Sequence, residues 1–88
     1  MLFLIDVRID DMETAKPLIK EHLAYLDKYL TDGAFKMFGP YRGVLGGFVI
    51  ADVSSAEDIR QIIALDPLQK KRCATWTLTG IEDIRTKD

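Results

Sequence analysis

The chain has 88 residues, 48% hydrophobic and 30% charged, with 12 Lys+Arg against 14 Asp+Glu and a net charge of −2. That length leaves room for one domain only, and the composition is too apolar for intrinsic disorder and too poor in Gly and Pro for a low-complexity chain. An acidic pI of about 5.3 lacks the basic excess that general nucleic-acid binding needs.

The opening Met1-Leu2-Phe3-Leu4-Ile5 is stopped by Asp6 and Arg8. It is too short for a signal peptide, and no run reaches the ~18 apolar residues of a membrane span. Residues 2–9 alternate in a β-rich pattern and predict a first strand. Phe3, Ile5, Val7 and Ile9 fall on one face, and Leu2, Leu4, Asp6 and Arg8 on the other. A helix is expected from Thr14 to Leu30, capped by Asp11 or Thr14, with Pro17 accepted in its first turn. Ala15, Leu18, Ile19, His22, Leu26, Tyr29 and Leu30 recur at helical spacing as its buried stripe, and Asp32-Gly33 supplies the stop.

Residues 34–41 and 44–53 predict two further strands, joined by a turn at Arg42-Gly43. A capping box from Ser54 to Glu57 starts a second helix, whose face is Ala56, Ile59, Ile62 and Ile63. Pro67 ends that helix near Leu65, because the residue before a proline avoids helical geometry. Residues 72–79 predict the last strand, with Ala74, Trp76 and Leu78 on one face and Cys73, Thr75, Thr77 and Thr79 on the other. The charged tail 82–88 is expected to fray. This βαββαβ order predicts a ferredoxin-like α+β fold over residues 1–88. Both helices would cover one face of a four-stranded antiparallel sheet, with strands one and three central. Pro40 then falls on an edge strand, where proline is tolerated. The uncovered face carries Leu2, Leu4 and one side of an apolar third strand, which predicts a homodimer packed through it.

His22 is the one histidine, and it lies mid-stripe on the first helix. On spacing alone it reads as a core histidine. The geometry of the fold brings a partner into range. His22 stands roughly 12 Å along its helix and Asp66 roughly 15 Å along the parallel second helix, at 1.5 Å per residue. Neighbouring helices lie about 8–10 Å apart. Asp66 at a helix C-terminus would meet the negative end of the macrodipole, a cost that a nearby imidazolium offsets. The other reading of Asp66 is an ordinary turn residue before proline.

Tyr25 lies at the stripe edge, where its ring packs and its hydroxyl can face a pocket. Gly46-Gly47 in a central strand marks either a close approach of ligand or backbone, or a β-bulge. The cations Lys70, Lys71 and Arg72 form either a solvated surface or a carboxylate-attracting rim. One His, one Cys and no HxxE or CxxC spacing leave no metal ligand set, and no glycine loop precedes a helix N-terminus to cradle phosphate. No cofactor is expected. The lone Cys73 cannot close an internal disulfide, which points to a reducing, cytoplasmic setting.

The ordered combination of His22-Leu23-Ala24-Tyr25-Leu26, Asp32-Gly33, Gly39-Pro40, Gly46-Gly47-Phe48-Val49-Ile50, Ser55-Ala56-Glu57-Asp58 and Asp66-Pro67 resembles the YciI-like (YCII-related) family from Met1 to about Ile84. The resemblance implies a dimeric α/β barrel with a His–Asp pair between helix and sheet. That pair maps onto His22 and Asp66 as acid–base residues. The family's best-understood enzymes are dehydrochlorinases of chlorinated aromatic breakdown products. The family usually follows its Asp-Pro with an aromatic and small residues; here the run is Leu68-Gln69-Lys70-Lys71-Arg72, so the substrate does not transfer directly.

The expected function is therefore acid–base chemistry on a small substrate, an anionic one if the cations rim the pocket: elimination, isomerisation or hydrolysis. Its substrate contacts are expected at Tyr25, Gly46, Gly47, Lys70 and Arg72. Two alternatives share the fold: a non-catalytic ligand-binding module and a muconolactone-isomerase-like enzyme. RNA binding through an RRM-like sheet is disfavoured, since only Phe48 falls at a stacking position of the third strand. No nucleic-acid or membrane partner is expected.

Overall fold

Alternating apolar residues and two amphipathic segments condense into one sheet with one helical layer. A computed structural model describes residues 1–87; Asp88, the end of the expected frayed tail, lies outside them. The elements are β1 (Leu2–Ile9), α1 (Met12–Ala15), a 3₁₀ turn (Lys16–Leu18), α2 (Ile19–Asp32), β2 (Phe35–Pro40), β3 (Gly46–Asp52), α3 (Ala56–Ile63), α4 (Pro67–Lys70) and β4 (Ala74–Ile81). The sheet order is β2-β3-β1-β4, with every neighbouring pair antiparallel. This is the ferredoxin-like arrangement, with β1 and β3 central and Pro40 on the β2 edge. Among the described residues, no helix is long and apolar enough to cross a membrane.

Phe3, Ile5 and Val7 of β1 join Val49 and Ala51 of β3, Phe35, Ala74, and Tyr25, Leu26, Ile59, Ile63 and Leu68 in one buried cluster. The opposite face of β1 carries the exposed Leu4 and Arg8 and the half-buried Leu2 and Asp6. Asp6 and Arg8 bond within the chain, Arg8 Nε donating to Asp6 at 3.2 Å, and so need no partner from a second copy.

Four local expectations are corrected, and of the two caps offered for the first helix Asp11 is the one used. Pro17 splits the first helix instead of sitting in its opening turn: it has no N–H for the α-helical ladder, so the chain tightens into a 3₁₀ turn before α2 begins. Asp11 caps the short α1, accepting from the Thr14 N–H at 3.2 Å. Leu30 is 40% exposed at the edge of the stripe. The cap of α3 is Ser55, whose side chain accepts from the Asp58 N–H at 3.1 Å, not Ser54. Val53 still exchanges backbone hydrogen bonds with Met1, so the chain leaves the sheet one residue later than the Ser54–Glu57 frame requires. Cys73 precedes β4 and is buried, its thiol 3.4 Å from the Leu68 carbonyl, and burial raises its pKa.

The β2–β3 connection is a five-residue loop, Tyr41–Leu45, longer than the two-residue turn the sequence predicts. The register shift in this sheet falls between Phe35 and Met37 on β2, away from the paired glycines. The run after Asp66, for which the sequence predicts no element, folds as α4 with Pro67 at its first position.

Candidate functional site

The site is built where α2, the α3–α4 junction and β4 meet. His22 projects from α2 and is buried, with a side chain 11% exposed. Its Nδ1 lies 2.6 Å from Oδ1 of Asp66, a carboxylate with no solvent exposure. A carboxylate accepts only, so the bonding hydrogen sits on Nδ1 of the ring. Among the described residues, the ring's hydrogen bond to the protein is this one, through Nδ1.

Asp66 occupies the N-cap position of α4, yet its side chain makes no cap hydrogen bond. Both oxygens are spent elsewhere: Oδ1 on His22 and Oδ2 on the indole N–H of Trp76, 3.1 Å away. The expected setting at the C-terminus of the second helix is thus revised. Two turn residues, Ala64 and Leu65, separate Asp66 from α3, and the positive end of α4 begins at it. The sequence groups Trp76 with Ala74 and Leu78 on one face of its strand and gives it no role; the one available signal is that a buried indole N–H needs an acceptor.

Beside the histidine lies a cavity of about 200 Å³ bounded by α2 and the sheet. Val7, Ile19, Leu23, Leu26, Phe38 and Pro40 contribute apolar wall, and Gly39, Gly46 and Gly47 line it as well. Both paired glycines are forced by neighbouring backbone. A Cβ on Gly46 (φ +149°) would stand 2.1 Å from the Val7 carbonyl oxygen, and one on Gly47 would stand 2.3 Å from that of Gly39. Strand packing accounts for both, and the cavity wall follows from it.

Tyr25 turns its hydroxyl away from the cavity lining and donates to the Ile62 carbonyl at 2.7 Å. Burial, with the Asp66 charge beside it, pushes its phenol well above the ordinary range. Lys70 and Arg72 are exposed and do not line the cavity. Of the residues singled out from the sequence, the fold joins His22 to Asp66 and brings Gly46 and Gly47 to the cavity beside His22. Tyr25 packs behind them, and the two cations stay outside.

The YCII-related domain profile matches residues 1–83. The chain belongs to the YCII-related family. No curated protein matches the sequence significantly. The YCII-related chain is similar in structure to 5-chloro-2-hydroxyhydroquinone dehydrochlorinase (TftG) from Burkholderia phenoliruptrix AC1100, in complex with 2,5-dihydroxybenzoquinone. The TM-score is 0.77 at 23% identity, covering 93% of this chain and 94% of that one. It is likewise similar to muconolactone isomerase, with a TM-score of 0.78 at 18% identity over 100% of this chain and 99% of that one. At these identities the likeness establishes the fold.

Proposed function

We propose that this YCII-related protein is a cofactor-independent acid–base enzyme, with His22 as the proton-transferring group and Asp66 as its orienting carboxylate. The observation that carries the reading is the 2.6 Å Nδ1–Oδ1 bond between two buried side chains, beside a cavity that the same histidine lines. Nε2 takes a proton from the substrate, Asp66 stabilises the imidazolium that forms, and the ring returns the proton to product or leaving group. Elimination of HCl, isomerisation by proton shift and base-assisted hydrolysis all use that cycle.

A cavity of about 150 Å³ accommodates a benzene ring, so the 200 Å³ here suits one small ring or its equivalent. Its wall offers no cation. With Lys70 and Arg72 left to the surface, the reading no longer relies on them to recognise an anionic substrate. The fold shared with a dehydrochlorinase and an isomerase supports small-molecule chemistry of this kind. We further place the chain as a homodimer joined through the open sheet face, in a reducing cytoplasm consistent with the single buried thiol.

The test uses 5-chloro-2-hydroxyhydroquinone and muconolactone as first substrates, following chloride release and isomerisation. Turnover by the unaltered chain should fall about 10²–10⁴-fold in His22→Gln, the usual contribution of a positioned acid–base group. A folded His22→Gln that keeps the full rate would overturn the reading. Binding in the cavity without turnover of either compound would favour a ligand-binding module.

A further inference from the structure

We infer that Trp76 is a positioning residue for this site: its indole N–H fixes the Asp66 carboxylate, and through it the tautomer and orientation of His22. The inference rests on the acid–base reading of His22 and adds a third member to the pair. Asp66 is fully buried, and Trp76 Nε1 is the one donor to its Oδ2 among the described residues. The backbone of α4 does not take that role. Pro67 at its first position has no N–H, and the Asp66 side chain makes no cap bond to the turn that follows. Without the indole, a buried charged oxygen would lack a donor and the carboxylate would be free to turn about its last torsion.

Trp76 is well placed to be rigid. It comes from β4, an element separate from those carrying His22 and Asp66. It pairs in register with Val7, which lines the cavity. Its ring meets Tyr25 edge-on at 6.3 Å, and Tyr25 is itself tethered to the Ile62 carbonyl. A tryptophan that only filled space could satisfy its N–H on any carbonyl; this one is aimed at the carboxylate that holds the histidine.

The chain has one histidine and one tryptophan, so both report without overlap. In ¹⁵N spectra of the unaltered protein with the neutral ring, Nδ1 should be pyrrole-type and Nε2 pyridine-type. In Trp76→Phe the carboxylate has one donor instead of two and draws a second proton onto the ring. The Nε2 signal at pH 7.5 should then move toward the pyrrole-type position, and acylation of His22 by diethyl pyrocarbonate should slow several-fold. Phe35→Leu, a cavity-forming change in the same aromatic cluster, should lower the melting temperature and leave both readouts unchanged. An unchanged ¹⁵N pattern and acylation rate in folded Trp76→Phe, or the same change in Phe35→Leu, would overturn the inference.

If Trp76→Phe does not fold, the unaltered protein decides. Its indole N–H resonance should shift with the same midpoint as His22 titrates, and a flat response would overturn the inference. None of these readouts uses turnover. Failure here leaves His22 catalysis standing, and full activity in His22→Gln leaves the tautomer result standing.

Discussion

Asp66 and Tyr25 show how single side chains are committed at this site. Asp66 gives both oxygens to neighbouring rings and none to its own helix, which is how a carboxylate can be fully buried and still satisfied. Tyr25 keeps its proton chiefly because burial disfavours the phenolate, and secondly because ionisation would set a negative charge beside Asp66. The folded-state phenol pKa is raised, so the folded chain holds that proton after the unfolded chain has released it. Its contribution to stability is therefore complete below the ordinary phenol value of about 10 and is lost as pH rises above it. Urea melts from pH 9 to 12 should show stability falling with pH. Tyr25→Phe should flatten that slope while costing about 1 kcal/mol at pH 7 for the lost bond to Ile62. Some slope should persist, since the Tyr41 phenol is also raised, by its hydrogen bond to Asp6. An identical slope in Tyr25→Phe would show that the buried phenol does not govern alkaline stability.

At the scale of elements, boundaries are set by where the chain stops bonding to the sheet as much as by local signals. Ser54 and Ser55 each head a plausible S-x-x-acid frame, and Ser55 prevails because Val53 is still held to Met1. Ser55→Ala should therefore destabilise the protein by about 1 kcal/mol, lowering the melting temperature by about 4–8 °C in a domain this small. Ser54→Ala should stay within about 0.5 kcal/mol of the unaltered chain. Reversed effects in calorimetry would return the cap to Ser54. Gly33 closes α2 in the left-handed conformation at φ +92°, which glycine adopts without a Cβ penalty.

For the whole molecule, the helices cover one face of the sheet and leave the other to Leu4 and Met37, 42% and 46% exposed, beside the half-buried Ile50. A polar patch flanks them: the Tyr41 hydroxyl donates to Asp6, which with Arg8 nearby holds the Asp6 carboxyl below its usual pKa. Two such faces packed together would bury the apolar rows and keep the charged groups toward an edge. Light scattering at micromolar concentration should give about twice the 10.0 kDa chain mass. Leu4→Lys should return the mass to that of one chain with the helical signal intact, because Leu4 takes no part in the buried cluster. A monomer before any substitution would remove the dimer from the proposal.

The order of strands and helices, the core face of β1 and the edge position of Pro40 were legible in the chain. They depend on period, on turn residues and on a topology with few alternatives. Helix rise and spacing put His22 and Asp66 within reach of each other but left a core histidine and a turn aspartate as equal readings; it was the family resemblance that named the pair. What tertiary structure alone decided depends on contacts between distant residues. Trp76 meets Asp66 only because β4 lies beside β1 and turns its core face under the α3–α4 junction. The tyrosine hydroxyl chose a backbone carbonyl over the cavity, and the glycines answered to carbonyl oxygens on neighbouring strands. Lys70 and Arg72 went to the surface because α4 formed and buried Leu68 in place of the charges that follow it. Apolar periodicity is a property of one segment; the aim of a polar group is set by which segments become neighbours.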